Sequence, residues 1–411
     1  MNDLTKCGSV FGHPFSYKHE PFHGRKIFSE NVFFHEYTLI RIMFFVLGYC
    51  YIRALLINTA MSQIASAAGA APVSRIWTYL QVVFWLIGVT LFALLLWMPD
   101  LGLLLFWNLL IPVAPALLVI ATGLWRNVCP MATTVLIPRK LGWSAERKLS
   151  AEASGWVSLT AVLLLLIIIP LRHAVFNLNA LATALLLAGA CTVGFLLGFR
   201  YEWKSIWCSG LCPVHPVEKL YGSRVAISFP NAHCQSCHNC VVPCPDSTPG
   251  NYPLTTTSTQ GHKLAALLIT GALPGYIWGW FQVPDQVPSE TGAMIGVTYQ
   301  WPLIGGVITM TVFLLLYYGQ QSIRRELLSL IFAASAVSCY YWYRIPSLIG
   351  MGNIGKDGLL IDLSAVLPEW LPFMLSVAVT LFFVYWIILR QPPKRQWARR
   401  PAFDPSILKS S

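Results

Sequence analysis

The feature that most constrains this chain is a set of eight apolar runs: 77–97, 101–122, 155–171, 180–199, 264–282, 301–318, 327–343 and 370–389. None of them contains Asp, Glu, Lys, Arg or His. A helix crossing ~30 Å of hydrocarbon needs about 20 mostly apolar residues, and each run meets or approaches that length. Inside a bilayer every backbone polar group must be paired within the segment or a closed barrel, so runs of this kind specify helices. Composition agrees: 11% of the 411 residues are charged and 56% are apolar, against about 25% charged in an average globular chain. An ordinary soluble enzyme is thereby excluded. A ninth run, 39–61, is as apolar but carries Arg41 and Arg53, so it either spans with its arginines snorkelling or lies at the interface. The first 36 residues are polar and His-rich, without the apolar core of a secretory signal.

The net charge of +11 would suggest nucleic acid in a soluble protein, but here the basic residues sort by side. Loop 123–154 holds Arg126, Arg139, Lys140, Arg147 and Lys148, and loop 200–263 holds Arg200, Lys204, Lys219, Arg224 and Lys263. Arg324 and Arg325 occupy the turn 321–326, and the tail beyond 389 adds Arg390, Lys394, Arg395, Arg399, Arg400 and Lys409. Crossing parity through the eight runs puts all four connections on one face. The alternate connections are poor in Lys and Arg, so the basic face is expected to be cytoplasmic. Topology accounts for the charge, and no nucleic-acid partner is expected.

That face also holds the cysteines. Cys234, Cys237, Cys240 and Cys244 followed by Pro245 give C-x2-C-x2-C-x3-C-P, the bacterial ferredoxin run. Three cysteines two residues apart wrap a tight loop around three irons of a cubane, and soft thiolates suit iron and sulfide. Structural zinc usually takes two C-x2-C pairs separated by a dozen or more residues, which is not the pattern here. Cys234-Gln-Ser-Cys237-His238 also reads as a c-type haem attachment site, but Cys240 and Cys244 complete the ferredoxin spacing and the loop falls on the wrong face for haem attachment. Upstream, Cys208-x3-Cys212-Pro213 repeats the end of the ferredoxin run, and Cys129-Pro130 repeats its final dipeptide. If each C-P cysteine serves the opposite cluster, Cys234, Cys237, Cys240 and Cys212 hold one centre, and Cys244, Cys208 and Cys129 hold most of another. Two four-cysteine clusters need eight thiolates. The eighth is Cys7 if the N-terminus shares this face; otherwise it is replaced by a ligand such as His215, His233 or Asp246, or one cluster is incomplete. The bland alternative leaves Cys129 and Cys208 as unligated loop thiols beside a single cluster.

Trp207-Cys208-Ser209-Gly210-Leu211-Cys212-Pro213, followed by Glu218, Tyr221-Gly222 and the ferredoxin run, resembles the integral-membrane polyferredoxin proteins. That family includes the quinol dehydrogenase subunit of periplasmic nitrate reduction, the membrane regulator of nitrous oxide reductase and the iron–sulfur assembly factor of cytochrome oxidase. The resemblance covers about residues 120–250. It implies that Cys208, Cys212, Cys234, Cys237, Cys240 and Cys244 are ligands of 4Fe-4S clusters, and that quinol is a donor. Members often carry an earlier C-x3-C-P; here the position four before Cys129 is Trp125, which departs from the family pattern.

The expected fold is thus an all-α polytopic membrane protein of eight or nine transmembrane helices with a small ferredoxin-like module in its cytoplasmic loops. Its parts are an N-terminal region (1–76), a four-helix membrane part with the cysteine-containing loop 123–154 (77–199), the iron–sulfur loop (200–263), a second four-helix part (264–390) and a basic tail (391–411). The expected cofactors are one or two 4Fe-4S clusters. The expected partners are the bilayer of the inner (cytoplasmic) membrane, a redox protein or complex subunits, and quinone, which no residue pattern places. The expected function is electron relay as a subunit of a larger oxidoreductase complex, with an assembly or metal-reduction factor as the alternative. Cys50, Cys191 and Cys339 fall within apolar runs and read as packing residues. Cys7, His13, His19 and His23 match no trusted metal spacing. His173 and His262 sit at run ends, so paired-histidine haem ligation is unsupported. The segment PCPDSTPGNYP and the tail RQPPKRQWARR are candidate docking surfaces, although a basic tail is ordinarily topogenic.

Overall fold

The computed structural model describes residues 73–224, 259–284, 290–319, 324–352 and 358–390, with Tyr49 and short pieces at 227, 229–230, 232–233, 253–255 and 398–399. All fall within one compact unit, Leu47–Ser411. The elements are α1 (Val73–Trp97), α2 (Pro99–Leu103), the π-helical segment π1 (Leu104–Leu110), α3 (Ile111–Val128), α4 (Pro130–Val135), α5 (Ile137–Lys140) and α6 (Ala151–Leu171). There follow π2 (Arg172–Phe176), α7 (Ala180–Arg200), π3 (Lys204–Leu211), α8 (Val214–Tyr221), β1 (Phe229–Pro230), α9 (Gln260–Gly271) and α10 (Leu273–Trp280). The series ends with α11 (Thr291–Gly319), α12 (Arg325–Leu348), α13 (Leu371–Val384), π4 (Tyr385–Leu389) and β2 (Ala398–Arg399). The protein is an all-α multi-pass membrane protein. Its one described sheet is the two-residue parallel pairing of β1 with β2, which joins the basic tail to the loop ahead of the ferredoxin run.

Six helical stretches are long and apolar enough to cross a bilayer: Ile76–Trp97, Pro99–Val135, Ala151–Phe176, Ala180–Arg200, Thr291–Gly319 and Leu371–Leu389. Each buries only a minority of its most apolar window within the protein. Large side chains such as Leu315 and Leu381 face outward, as lipid contact requires and water does not tolerate. The other two apolar runs are helical but differently made. Run 264–282 is divided at Ala272 into α9 and α10 by Pro274. Run 327–343 lies in α12, whose Ser, Tyr and Arg residues lower its hydropathy and whose buried positions reach from Leu328 to Ser347. These two elements form the centre. Leu273, Ile277, Trp280, Ala333, Val337 and Tyr340 belong to the largest core cluster, together with Leu118, Val119, Leu220 and Tyr221.

Close backbone approach builds the centre. α10 and α11 cross at Gly275 and Gly305, where a Cβ on either would overlap the backbone of the other, the small-residue packing that brings membrane helices together. In α3, the Tyr341 hydroxyl enters the hydrogen-bond ladder, accepting from the Ala116 amide and donating to the Pro112 carbonyl. Pro115 lies within the same turn, and the α12 hydroxyl bridges an amide and a carbonyl that in a regular helix would pair directly with each other.

Two of the π segments, each running up to a proline, leave a carbonyl without its helical partner. In π1, the Ile111 amide bonds to the Phe106 carbonyl five residues back. The next carbonyl, that of Trp107, would by the same register meet residue 112, a proline without an N–H. Arg172 and Arg344 fill the gap, their Nη2 atoms donating to the Trp107 carbonyl at 2.8 and 3.1 Å. π3 repeats the device: the Cys212 amide bonds the Trp207 carbonyl at 2.9 Å, residue 213 is proline, and Arg126 Nη2 donates to the stranded Cys208 carbonyl at 2.9 Å.

Candidate functional site

Cys129 lies at the break between α3 and α4, and Cys212 at the break between π3 and α8. Their backbones match, with φ/ψ of −58°/119° and −62°/118°. The cause is the following proline, which drives the preceding residue out of the helical region. Both Cys-Pro dipeptides therefore end one helix and start the next, and Cys208 projects from π3 four residues before Cys212. The three thiols line one cavity of about 100 Å³ with Trp125, Arg126, Trp203 and Trp207. They pack against a cluster built on Trp203, Ile206, Trp207, Val135 and Leu136.

His233 also lines this cavity. Its Nε2–H donates to the Arg126 carbonyl at 3.1 Å, its ring meets Trp203 edge-on at 5.1 Å, and the neighbouring Ala232 amide donates to Asn127 Oδ1 at 3.1 Å. The residue that opens the ferredoxin run is thus the next one along from a side chain anchored in the wall. Cys234, Cys237, Cys240, Cys244 and Asp246, with His238, lie outside the described residues, as do Cys7, Cys50, the N-terminal histidines, segment 39–61 apart from Tyr49, and most of both candidate docking segments. His215, the other described candidate for a non-cysteine ligand, lines a separate small cavity with Ser158, Lys219 and His262. Cys191 contacts Met131, Sγ to Sδ 3.3 Å, and Cys339 packs against the central core; both sit as packing residues.

Sequence reasoning missed the charged group that organises the wall. Arg126 Nε donates to Glu218 Oε2 at 2.9 Å, and its Nη2 reaches His215 Nδ1 at 2.9 Å as well as the Cys208 carbonyl. Since the guanidinium has only donors, His215 Nδ1 accepts, and the imidazole is neutral with its proton on Nε2. Burial agrees, holding His215 down at about 4 despite the nearby Glu218. For Glu218, burial alone would raise the carboxyl, but the Arg126 guanidinium beside it brings it below its ordinary value. The available signal was spacing: Arg126 precedes Cys129 by three residues, and His215 and Glu218 are three apart, which puts each pair on one helix face.

Burial pushes the Cys208 thiol well up, against the pull of Arg126, and pushes Cys212 up to about 12, with the amides of Val214 and His215 opposing. These are dry, neutral thiols that lose protons only to a strong acceptor such as a metal. Among the described residues no three His, Cys, Asp or Glu side chains converge on a single metal ion. A polynuclear cluster places its own atoms between the thiolates, and the donor set suits that larger group: three thiols on one cavity, with the buried Trp203 Nε1 of its lining making no hydrogen bond among the described residues. An unused N–H group is what a cluster sulfur accepts from. No family model, curated protein or solved structure matches this chain.

Proposed function

We propose that this chain is a membrane-bound iron–sulfur protein that relays single electrons, from quinol to a partner redox protein, as a subunit of a larger complex. The observation that carries the reading is the shared cavity. Cys129, Cys208 and Cys212, from three separate sequence positions, line it together with His233, one residue from the ferredoxin run. Cys208, Cys212, Cys129, Cys234, Cys237, Cys240 and Cys244 would hold one or two 4Fe-4S clusters, which supply reversible one-electron chemistry. The protein's own contribution is legible in its residues. Trp203 and Trp207 keep water from the thiols, Arg126 places a fixed positive charge beside Cys208, and Glu218 supplies its counter-charge, so that neither is buried unpaired.

The same reading orients the chain. Arg224 Nη2 pairs with Glu326 Oε1 at 3.2 Å and its Nη1 donates to the Ile388 carbonyl at 3.0 Å, so the cysteine loop, the start of α12 and the end of π4 meet at one end. Gly261 in α9 abuts Gly155 at the start of α6, while Trp280 in α10 lies 5.2 Å from Arg172 at the far end of α6. α9–α10 and α12 thus run the length of the bundle, which supports eight crossings with the basic, cysteine-bearing face in the cytoplasm of an inner membrane.

Iron and acid-labile sulfide analysis with EPR on anaerobically purified protein tests the proposal. About four irons per chain without haem absorption means one cluster, and about eight means two. A haemochrome band, or protein without labile sulfide, overturns it. Deletion of the chain separates relay from assembly factor: a partner enzyme that keeps its metal but loses electron flux supports the relay, and a partner lacking its metal supports assembly.

A further inference from the structure

At the end of the bundle remote from the cysteines, the fold buries two cations and no described anion. Arg172 and Arg344 are 3% and 2% exposed. Beyond their shared contact with Trp107, Arg172 Nε donates to Asn177 Oδ1 at 3.2 Å and Arg344 Nη2 to Asn108 Oδ1 at 2.7 Å. All of these acceptors are neutral. Neither arginine forms an ion pair among the described residues, while Arg344 Nε and the indole Nε1 of Trp280 are buried without a hydrogen bond. A guanidinium kept from water without a counter-charge is strongly disfavoured, so two side by side call for a negative group.

The space beside them has a defined character. Arg172, Trp280 and Tyr340 line one end of a cavity of about 200 Å³ whose remaining walls are aliphatic, running along α3 from Trp107 to Leu118 and reaching Val214, Val217 and Tyr221 of α8. That course spans roughly 16 Å at 1.5 Å per residue. A dry cavity of about 150 Å³ already accepts benzene. Trp280 also borders a smaller recess of about 20 Å³ against Arg344 and His173. Arg172 and Trp280 thus bring donors to one end of the apolar slot, and Arg344 lies across Trp280 in the adjoining recess.

We propose that this slot binds an anionic amphiphile, with a carboxylate or phosphate head on Arg172, Arg344 and Trp280 Nε1 and hydrocarbon along α3. The site and the thiol cavity share only Val214 as a lining residue, and the proposal stands independently of the iron–sulfur reading. Among the described residues the two charges have no counter-ion, and that is what favours an anion over a neutral ring of similar shape. The two arginines would recognise either a free fatty acid or a phospholipid.

The full chain in detergent, titrated with 9,10-dibromostearate, tests this through bromine quenching of tryptophan, because Trp107 and Trp280 border the slot. Dibromostearate methyl ester is the neutral control, a brominated phosphatidylglycerol separates the two sources of the anion, and decylubiquinone is the neutral competitor. Saturable quenching by the acid or the phospholipid, at least tenfold weaker for the ester and at least tenfold weakened in R344Q, supports the proposal. W280F keeps the ring stacked on Tyr340, 6.4 Å away, while removing the indole N–H. It should weaken the acid without unfolding the chain, which keeps the test informative if R344Q does not fold. Equal quenching by acid and ester overturns the proposal and points to a counter-ion within the chain, for which Asp285 and Asp357 flank the site in sequence. Displacement by decylubiquinone with no effect of R344Q or W280F overturns it in favour of a neutral ligand.

Discussion

Replacing Arg126 with Met tests the charged wall most directly. The side chains of Arg126 and Glu218 are 10% and 5% exposed, and removing one member of a buried ion pair costs about 3–5 kcal/mol because the other is left as an uncompensated charge. The substitution also strands the Cys208 carbonyl, since Pro213 cannot donate to it, and an unpaired buried acceptor costs about 1–3 kcal/mol. R126M is therefore expected near the upper end of the first range. R126M/E218L removes both charges and should be less destabilised than R126M alone, leaving mainly the cost of the unpaired carbonyl. Adding P213A returns an N–H at the register that π3 uses, and should recover part of that remainder. The assay is reversible unfolding of the full chain by SDS titration in mixed micelles. An R126M stability within about 1 kcal/mol of the parent, well below the cost of an orphaned buried charge, would refute the coupling, as would a double substitution as damaging as the sum of its singles.

At the α10–α11 crossing, G305V forces the helices apart and should cost at least the 1–3 kcal/mol typical of overpacking, on the order seen in packed cores, whereas the same change at Gly292, which has open space around it, should be nearly silent; thermal unfolding in detergent compares them. Y341F removes the hydroxyl that bridges the Ala116 amide and the Pro112 carbonyl, an i, i+4 pair that can close on itself, and should cost no more than about 1–3 kcal/mol, with no change in iron content. His215 remains neutral in the fold down to about 4, against an ordinary 6.5, so the unfolded chain binds the extra proton between those values. Its contribution to stability is complete above 6.5 and is lost as pH falls toward 4. The Glu218 contribution is lost at lower pH still, below the ordinary carboxylate value, and H215Q should flatten the stability–pH curve in the upper window only. C208A and C129A, assayed for iron and labile sulfide, should each lower the iron content if both serve clusters; an unchanged content would assign them to packing.

Membrane character is legible in the sequence because it depends on side-chain transfer energies summed over about 20 residues, which position alone determines. All eight apolar runs are helical. What hydropathy does not reveal is rank within the bundle: α12 is less apolar than its neighbours because its Ser, Tyr and Arg side chains meet protein rather than lipid. The convergence of Cys129 with Cys208 and Cys212 is readable from the repeated Cys-Pro dipeptide, since proline dictates the same backbone twice. Arg172 and Arg344, by contrast, look like residues of short connections. Their burial follows from a carbonyl stranded by Pro112, far from either of them along the chain, a dependence between distant positions that no local pattern carries. Arg126 likewise looks like a topogenic charge, because its partners Glu218, His215 and the Cys208 carbonyl arrive from another part of the chain.

The π segments also bear on how the chain tolerates changes in length. A π turn holds one residue more than the α turn it replaces, and one residue is worth about 100° of rotation around a helix axis. Cys208 and Cys212 share a wall because π3 carries that surplus residue ahead of a proline. Losing any one residue between 204 and 207 would let the segment relax into α-helix and swing Cys208 by roughly a quarter of a turn, away from Cys129, with every side chain chemically intact. Conservative replacements in this stretch should therefore be milder than a single-codon deletion, and the same asymmetry should hold around Trp107, where helical phase aligns one carbonyl with two arginines.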